Sequence, residues 1–525
     1  MHRAAFVIAR RVRRVTTYDA RPGKTGRGTR VNETLAPAAG ARIIDKRTHT
    51  KERPMARNDH ESPGSDRPET SHGATRRAFL KAALAGGASA AAAAVGLGLP
   101  ARRAGAAGPR KADRPNIVML FADDVGWGDL GCFGHPTIQT PNLDRMADEG
   151  MRLTSFYSAP SCVPARIQLM TGRYPPRTGI HGTSVGGSGG IPDREVTLAE
   201  ALKAAGYRTG MMGKWHLGYA KDEYLPTGQG FDYYFGLPYS NDMRKPWVNT
   251  DVPLWLYENT KRIEHPVDQD TLTTRYTEHA VDFIRKSRDG PFFLYLAYSM
   301  AHLPIHTTEK FRGTSGAGLY GDVIKTIDWS VGRVLSTLKD LGLDENTLVC
   351  FSSDNGPWLN LPKRMLQGGN EPWHQGTPGS LRGAKHTTWE GGLREPTIVR
   401  WPGRIPPGRN SADMACLLDL YVTFVRLGGG TLPDHPVDGH DLMPWLQGKA
   451  DGSPRKEFFY CLHGRIEAVR DETWKLRTRD GARLFNLRSD PSERYNRAKE
   501  KPEIVERLRR RMEAKAKEIG AKVAS

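Results

Sequence analysis

Cysteine is scarce: 525 residues contain five, Cys132, Cys162, Cys350, Cys416 and Cys461, an odd set with no close spacings. That excludes a zinc cluster and a disulfide framework. Long, strongly apolar runs are missing too. The nearest to one, Ala82 to Leu99, is mostly Ala and Gly and is bounded by Pro100, Arg102 and Arg103. A membrane span wants about 20 strongly apolar residues, so no stable membrane anchor is expected. Positive charge is abundant but unevenly placed. Residues 1–106 hold 21 Lys/Arg and 8 Asp/Glu, which is +13 of the chain's +19 and leaves +6 for the rest. No nucleic-acid partner is implied, and the mild excess that remains suits an anionic substrate as well as an ordinary solvated surface.

The basic first stretch reads as a leader. Thr75-Arg76-Arg77-Ala78-Phe79-Leu80-Lys81 sets a twin arginine before the Ala/Gly run, and Ala104-Gly105-Ala106 follows as a small-residue cleavage site. This is the pattern of a bacterial twin-arginine export signal, so the export machinery is an expected partner and a periplasmic or secreted location is expected. Met55 opens a segment of ordinary leader length and is the expected true start. Because that machinery carries folded proteins, few disulfides are expected even at an oxidising destination.

About 420 residues remain, more than one typical core, which suggests a large domain over 107–440 and a smaller one over 441–525. Apolar runs rich in β-branched or aromatic residues recur at Asn116 to Ala122, Tyr207 to Met212, Pro291 to Ser299, Thr347 to Ser353 and Thr397 to Trp401. Most do not alternate, as expected of strands buried on both faces of a parallel sheet. Helical patterns at Thr197 to Ala205, Thr274 to Lys286 and Asp322 to Leu341 lie between them, so the large domain reads as α/β with a mostly parallel, doubly wound sheet flanked by helices. Beyond residue 440, short strands at Phe458 to His463, Ala468 to Asp471, Thr473 to Thr478 and Ala482 to Asn486 precede a charged helix from Glu503 to Glu518. These predict a small antiparallel sheet with a helix whose Arg507 to Arg511 face solvent.

Ligands of open α/β sheets collect at the carboxyl ends of the strands. The strand candidates end in Asp123-Asp124, in Lys214-Trp215-His216, in His302 and in Asp354-Asn355-Gly356. A lone Asp-Asp pair is more often a loop or a helix cap, and a lone His more often a hydrogen-bonded structural residue. Two acidic strand ends on one sheet edge repel unless a cation holds them, and four hard oxygen donors suit calcium or magnesium. Ser161-Cys162-Val163-Pro164-Ala165-Arg166 adds a cysteine just before a helix expected to begin at Pro164, where free backbone N–H groups stabilise an anion. A thiol so placed would be a candidate nucleophile with a depressed pKa, although a buried bystander is the commoner case.

At these residues the chain resembles the type I, formylglycine-dependent sulfatases of the alkaline-phosphatase superfamily. Cys162-Val163-Pro164-Ala165-Arg166 resembles the Cys-x-Pro-x-Arg signature of that family, and Leu381 to Lys385 with Thr388 to Pro396 resembles its second signature. Gly213 to Gly218 resembles a third, and Leu484 to Leu487 with Asp490 to Glu493 its C-terminal strand and turn. The likeness runs from about Asn116 onward and, at Phe231 to Asp242 and Thr388 to Pro396, is nearest the branch of arylsulfatase A and N-acetylgalactosamine-6-sulfatase.

The resemblance implies a fold, an activity and a site. The fold is a large alkaline-phosphatase-like domain with a smaller C-terminal subdomain, and the activity is hydrolysis of an aryl sulfate or sulfated carbohydrate. A maturation enzyme would oxidise Cys162 to formylglycine (3-oxoalanine), whose hydrate attacks sulfur with one hydroxyl and expels sulfate with the other. One calcium ion would be held by Asp123, Asp124, Asp354 and Asn355, with the residue at 162 as a further ligand. Arg166 would neutralise and orient the modified residue, and Lys214 and Lys385 would cradle sulfate oxygens. His302 would give a proton to the leaving oxygen, His216 would take one in the release step, and Ser240 would donate to the sulfate.

A phosphonate or phosphate ester hydrolase of the same superfamily is the rival enzyme, although no His/Asp cluster for a second metal is visible. A protein that binds calcium and an anionic glycan without turnover is the rival outside enzymes, should Cys162 stay unmodified. Trp247, Trp255, Tyr257, Trp358 and Trp373 stand in loop-like stretches as candidates to stack on a sugar or aryl ring.

Overall fold

The computed structural model describes residues 114–182 and 189–525. The expected leader and start at Met55 lie outside the described residues. Among the described residues no helix is long and apolar enough to cross a membrane.

The central sheet runs β10(Arg409–Ser411), β2(Met151–Tyr157), β9(Arg394–Arg400), β8(Thr347–Ser353), β1(Asn116–Ala122), β7(Phe292–Ala297), β3(Arg208–Gly213), β4(Tyr233–Gly236), β5(Leu256–Glu258), β6(Lys261–Glu264), with β11(Ala415–Cys416) also on β2. The middle is parallel: β1 pairs with β7 and β8, and β3 with β7 and β4. Two expectations need correction. The strand expected from Thr397 begins at Arg394 and runs antiparallel to both β8 and β2, because burial on both faces leaves no mark of direction in a sequence. Tyr257 belongs to β5, not to a loop, and that edge is an antiparallel hairpin.

The alternation of β1 builds a three-layer core. Ile117, Met119 and Phe121 face one apolar layer with residues of the Cys162–Thr171, Leu198–Ala204 and Leu417–Leu427 helices. Val118, Leu120 and Ala122 face the other, with residues of the Pro141–Asp148, Leu272–Ser287 and Gly318–Asp340 helices. Each fully buried Leu, Ile or Phe contributes about 1.5–3 kcal/mol of transfer free energy, so the strands that carry the site are firmly anchored on both faces. The Leu198–Ala204 helix starts where a capping box closes it, with Glu200 N donating to Thr197 Oγ1 at 3.1 Å and Thr197 N to Glu200 Oε2 at 2.9 Å.

A second sheet, β12(Phe458–Leu462), β13(Arg465–Arg470), β14(Trp474–Arg477) and β15(Arg483–Asn486), is antiparallel, with β16(Lys522–Val523) added in parallel to β13. The Pro502–Ile519 helix packs on it through Leu508, Met512, Ala516 and Ile519 while Arg507 and Arg511 pair at the surface with Asp471 and Glu457. Tyr157, Tyr174, Leu393 and Met414 of the first sheet's side share this third core, so the two sheets meet through a continuous apolar contact.

Candidate active site

Every residue singled out at the strand ends comes to one edge of the large sheet. Asp123 and Asp124 follow β1, Lys214 and His216 follow β3, His302 lies beyond β7, and Asp354 and Asn355 follow β8. Each has at most 6% exposure. Asp124 and His216 hold φ of 61° and 60°, a left-handed backbone that non-glycine residues adopt at a cost and that neighbours must enforce. For Asp124 the restraint is its own N–H, which donates to Asp354 Oδ1 at 3.2 Å. Gly213, with φ 109°, turns the chain into Lys214 so close to β7 that an added Cβ would lie 1.7 Å from the Ala297 carbonyl oxygen. Gly356 lets the Gly391-Gly392 pair of the second signature approach, since a Cβ there would stand 1.9 Å from the Gly391 oxygen.

Cys162 opens its helix rather than preceding it, with Ser161 as the N-cap residue. The same helix sends Arg166 into the centre, where one terminal nitrogen donates to Asp123 Oδ2 at 3.1 Å and to Asp354 Oδ2 at 2.9 Å. Its other terminal nitrogen donates to the Lys214 carbonyl at 2.8 Å and meets the Tyr295 hydroxyl at 3.4 Å. Lys214 Nζ lies 2.5 Å from Asp123 Oδ2. Lys385 Nζ lies 2.7 and 2.9 Å from the two oxygens of Asp124 and 4.8 Å from the centre of the Trp358 ring. Three buried carboxylates thus face three buried cations.

The electrostatics follow from that balance. Burial opposes ionisation of Asp123, yet Lys214, Arg166 and Lys385 outweigh it and hold its carboxyl below the usual range. Burial, with Asp123 and Asp354 nearby, pushes Asp124 up to about 7 against the pull of Lys385. Asp354 is likewise raised by burial and by Asp123. His216 and His302 are driven well below the ordinary imidazole value, first by burial and then by the lysines, so both rings are neutral. His302 Nδ1 donates to the Leu303 carbonyl at 2.7 Å, which leaves Nε2 as the free lone pair, 3.8 Å from Asp124 Oδ2.

The Cys162 thiol departs from expectation. Burial, and then Asp123, whose Oδ1 it meets at 3.6 Å, push its pKa up and outweigh the lysines. The unmodified side chain is a neutral thiol and a poor nucleophile.

The donors suit a hard cation. Ligand atoms of Asp123, Asp124, Cys162 and His302 all lie within 4.8 Å of one another. Asn355 Nδ2 donates to Asp124 Oδ1 at 2.7 Å, while its own Oδ1 is buried with no partner among the described residues. An orphaned amide oxygen beside three crowded carboxylates is what a calcium ion would complete. Ser240 is fully buried, and its Oγ is unpartnered among the described residues.

The aromatic candidates divide. Trp358 is buried between Lys385 and Arg364, with its ring 5.5 Å from that of His302, so it holds site residues instead of offering a face to a sugar. Trp247 is buried under Arg244, and the Tyr257 hydroxyl accepts from Arg262 Nε at 3.0 Å. Trp255 packs against His265, and Trp373, 69% exposed, keeps its ring open.

Not foreseen is a buried network that ties the second signature to the second sheet. Glu390 accepts from Tyr157 and Tyr460 hydroxyls at 2.6 Å each and from Lys475 Nζ at 2.9 Å, and Lys475 also lies 2.8 Å from Glu493. Burial opposes it, but Lys475, Arg470 and Arg394 hold Glu390 down to about 2. Glu493, raised by burial, sits at about 7.

Residues 115–430 match the sulfatase family and residues 384–518 match "N-sulphoglucosamine sulphohydrolase, C-terminal". N-acetylgalactosamine-6-sulfatase of Canis lupus familiaris is 42% identical over 369 residues, covering 66% of this chain and 68% of that protein. Arylsulfatase A of Homo sapiens is 39% identical over 440 residues, covering 74% and 85%. Among solved structures, the PsFucS1 sulfatase from Pseudoalteromonas sp. superposes with a TM-score of 0.69 at 29% identity, covering 77% of this chain and 90% of that one. The chain therefore belongs to the sulfatase family, in the branch of arylsulfatase A and N-acetylgalactosamine-6-sulfatase, and is a sulfuric ester hydrolase.

Proposed function

We propose that the chain is matured at Cys162 to formylglycine, binds one calcium ion through Asp123, Asp124, Asp354 and Asn355, and hydrolyses the sulfate ester of an aryl or carbohydrate alcohol. The carrying observation is a charge-balanced, buried cluster built around a cysteine that is itself chemically quiet. The hydrate of a formylglycine at position 162 would offer two hydroxyls, one to bond sulfur and one to be deprotonated for sulfate release, and a calcium ion held by Asp123, Asp124, Asp354 and Asn355 would supply Lewis-acid polarisation.

The chain's own residues do the rest. Arg166 fixes Asp123 and Asp354 at the edge where position 162 stands. Lys214 and Lys385 present two ammonium groups to the sulfate oxygens, worth most in a site this dry. Ser240 Oγ donates to the same group. His302, anchored through Nδ1, turns Nε2 toward the leaving oxygen and delivers its proton, and the arriving sulfate charge favours the protonated ring. His216, whose Nδ1 is buried without a partner among the described residues, takes the proton at position 162 in the release step. The twin arginine Arg76-Arg77 ahead of the Ala/Gly run supports a further part of this reading, that the chemistry takes place after twin-arginine export, in the periplasm or outside the cell.

The test is peptide mass spectrometry at Cys162 together with sulfate release. Replacement of the thiol by a carbonyl oxygen lowers the peptide mass by about 18 Da. An aldehyde with calcium-dependent sulfate release supports the proposal. A confirmed aldehyde that cleaves phosphonate esters and no sulfate ester sinks it.

A further inference from the structure

Between β2 and β9 of the large sheet and β13 of the small one lies a cavity of about 420 Å³, a size that suits a small ligand. None of the residues assigned above to catalysis or to calcium lines it. The lining is basic: Arg394, Arg455, Lys456, Arg470 and Arg488 stand against Asp413 and Glu472, five cations to two carboxylates. Two of the five are already paired. Arg455 forks onto Asp419 at 2.7 and 2.6 Å, and Lys456 lies 2.9 Å from Glu472. That leaves Arg394, Arg470 and Arg488 facing Asp413, whose Oδ2 already accepts from Ser453 N at 3.3 Å. An anion in the cavity would balance this excess of positive charge.

Donors stand unused around the same space. Arg394 Nε donates to the Thr154 carbonyl at 2.5 Å and one terminal nitrogen lies 3.6 Å from Glu390 Oε2. Its other terminal nitrogen has no partner among the described residues, although the side chain is only 11% exposed. Arg488 engages Nε alone, on the Glu472 carbonyl at 3.4 Å. Ser155, 3% exposed, lines the cavity two residues before Tyr157, and its hydroxyl too has no partner among the described residues. Buried hydroxyls are almost always partnered. Two guanidinium groups and a hydroxyl thus converge from β9, from the turn after β15 and from β2. A tetrahedral oxyanion, which accepts from several directions at once, fits such a set.

The cavity is linked to the chemistry through Glu390. Arg394 faces that carboxylate directly, and Arg470 donates to the Tyr157 hydroxyl, which donates to Glu390 Oε2 at 2.6 Å. An anion bonded to Arg394 competes with Glu390 for the guanidinium, and Glu390 shares a short segment with Lys385. We propose that this cavity is a second oxyanion site, which takes inorganic sulfate, the product of the reaction, or phosphate of the same shape, and that its occupation lowers turnover by drawing Arg394 off Glu390. The effect on turnover rests on the sulfatase reading above, and the binding does not.

The experiment uses the full chain with Cys162 matured. It measures kcat and KM for nitrophenyl sulfate as sodium sulfate, phosphate or chloride is added, in wild type, Ser155→Ala and Arg488→Gln. Both variants are expected to keep the basal rate. In wild type, sulfate and phosphate are expected to lower kcat as well as raise KM, whereas competition at the reaction centre alone raises KM and leaves kcat untouched. In each variant the concentration for half the effect on kcat is expected to rise by about tenfold, the usual weight of a charged hydrogen bond, with the effect on KM unchanged. A wild-type kcat that sulfate leaves unchanged overturns the assignment, and so does a fall that chloride reproduces at equal ionic strength. Half-effect concentrations within about twofold of wild type in both variants overturn it too. Matured protein that releases no sulfate overturns the sulfatase reading instead, and the cavity is then read by melting temperature. Sulfate should raise it more in wild type than in either variant, because exclusion of the salt from the protein surface acts on all three alike. Equal rises in the three proteins overturn the site.

Discussion

Replacing Arg166 by Met keeps the bulk of the side chain but removes a guanidinium that bridges Asp123 and Asp354 at 3.1 and 2.9 Å with no exposure. The variant leaves three carboxylates facing two ammonium groups, and Asp354 keeps no cation within bonding distance among the described residues. Stripping one partner from a buried ion pair costs about 3–5 kcal/mol. In a domain of this size each kcal/mol moves the melting temperature by roughly 2 °C, so the expected drop is about 6–10 °C. Arg166→Lys restores the charge as a single point that cannot fork between two carboxylates, and should recover part of the loss. Thermal unfolding by circular dichroism at pH 8, above the value near 7 at which Asp124 titrates, reads the effect with chelator and then with saturating calcium. Calcium should raise the Met variant more than wild type, because its cluster carries one more uncompensated negative charge. A loss below about 1 kcal/mol, the level of a surface pair, or equal calcium shifts in both proteins, would refute the charge balance.

Lys385→Ala should lower kcat by about 100- to 1000-fold with little change in KM, as expected for a contact made to the transition state; activity within fivefold of wild type by steady-state sulfate release counts against its role. Chelation should abolish sulfate release and lower the melting temperature, and added calcium should restore both; full activity in metal-free protein, verified by elemental analysis, removes the ion from the mechanism. Asp328, which accepts from Leu143 N at 2.8 Å, is pushed up to about 6 by burial. Between its ordinary value near 4 and this one, the folded state keeps a proton that the unfolded state has lost. Stability therefore falls as pH rises through that window, by about 3 kcal/mol at most, and is flat above it. Denaturant titrations from pH 4 to 7 should show wild type losing more stability than Asp328→Asn by this amount, since Asp124 and Glu493 titrate in both proteins, and parallel profiles would show that Asp328 contributes nothing to the slope.

The strands that carry the site were the most legible part of the chain. β1 and β8 begin and end where their unalternating apolar runs do, because burial on both faces writes itself into composition. β2 escaped notice, since Arg152 and Thr154 interrupt it while its remaining residues are buried. The first residues of β9, Arg394 to Pro396, look like loop by type and are strand only because tertiary contacts satisfy them. Residues directly after strand ends could be found from sequence, because the topology of α/β sheets brings those ends together. Tyr295, Lys475 and Arg364 could not. Their partners stand 129, 85 and 122 residues away, and nothing local announces such pairs. The raised pKa of Cys162 is hidden for a related reason: the helix start is local and visible in the sequence, whereas the burial and the Asp123 carboxylate around the thiol are not.

Lys385 and Glu390 occupy one short segment with opposite moorings. Lys385 reaches Asp124 at the reaction edge, whereas Glu390 is gripped by Lys475 and Tyr460 of the second sheet. The second sheet thus works as a gauge that sets how far the lysine extends. Damage to that sheet should surface as slowed chemistry at a centre it never touches, and a catalytic half cut free of it would keep its acids and lose the register of one of its cations.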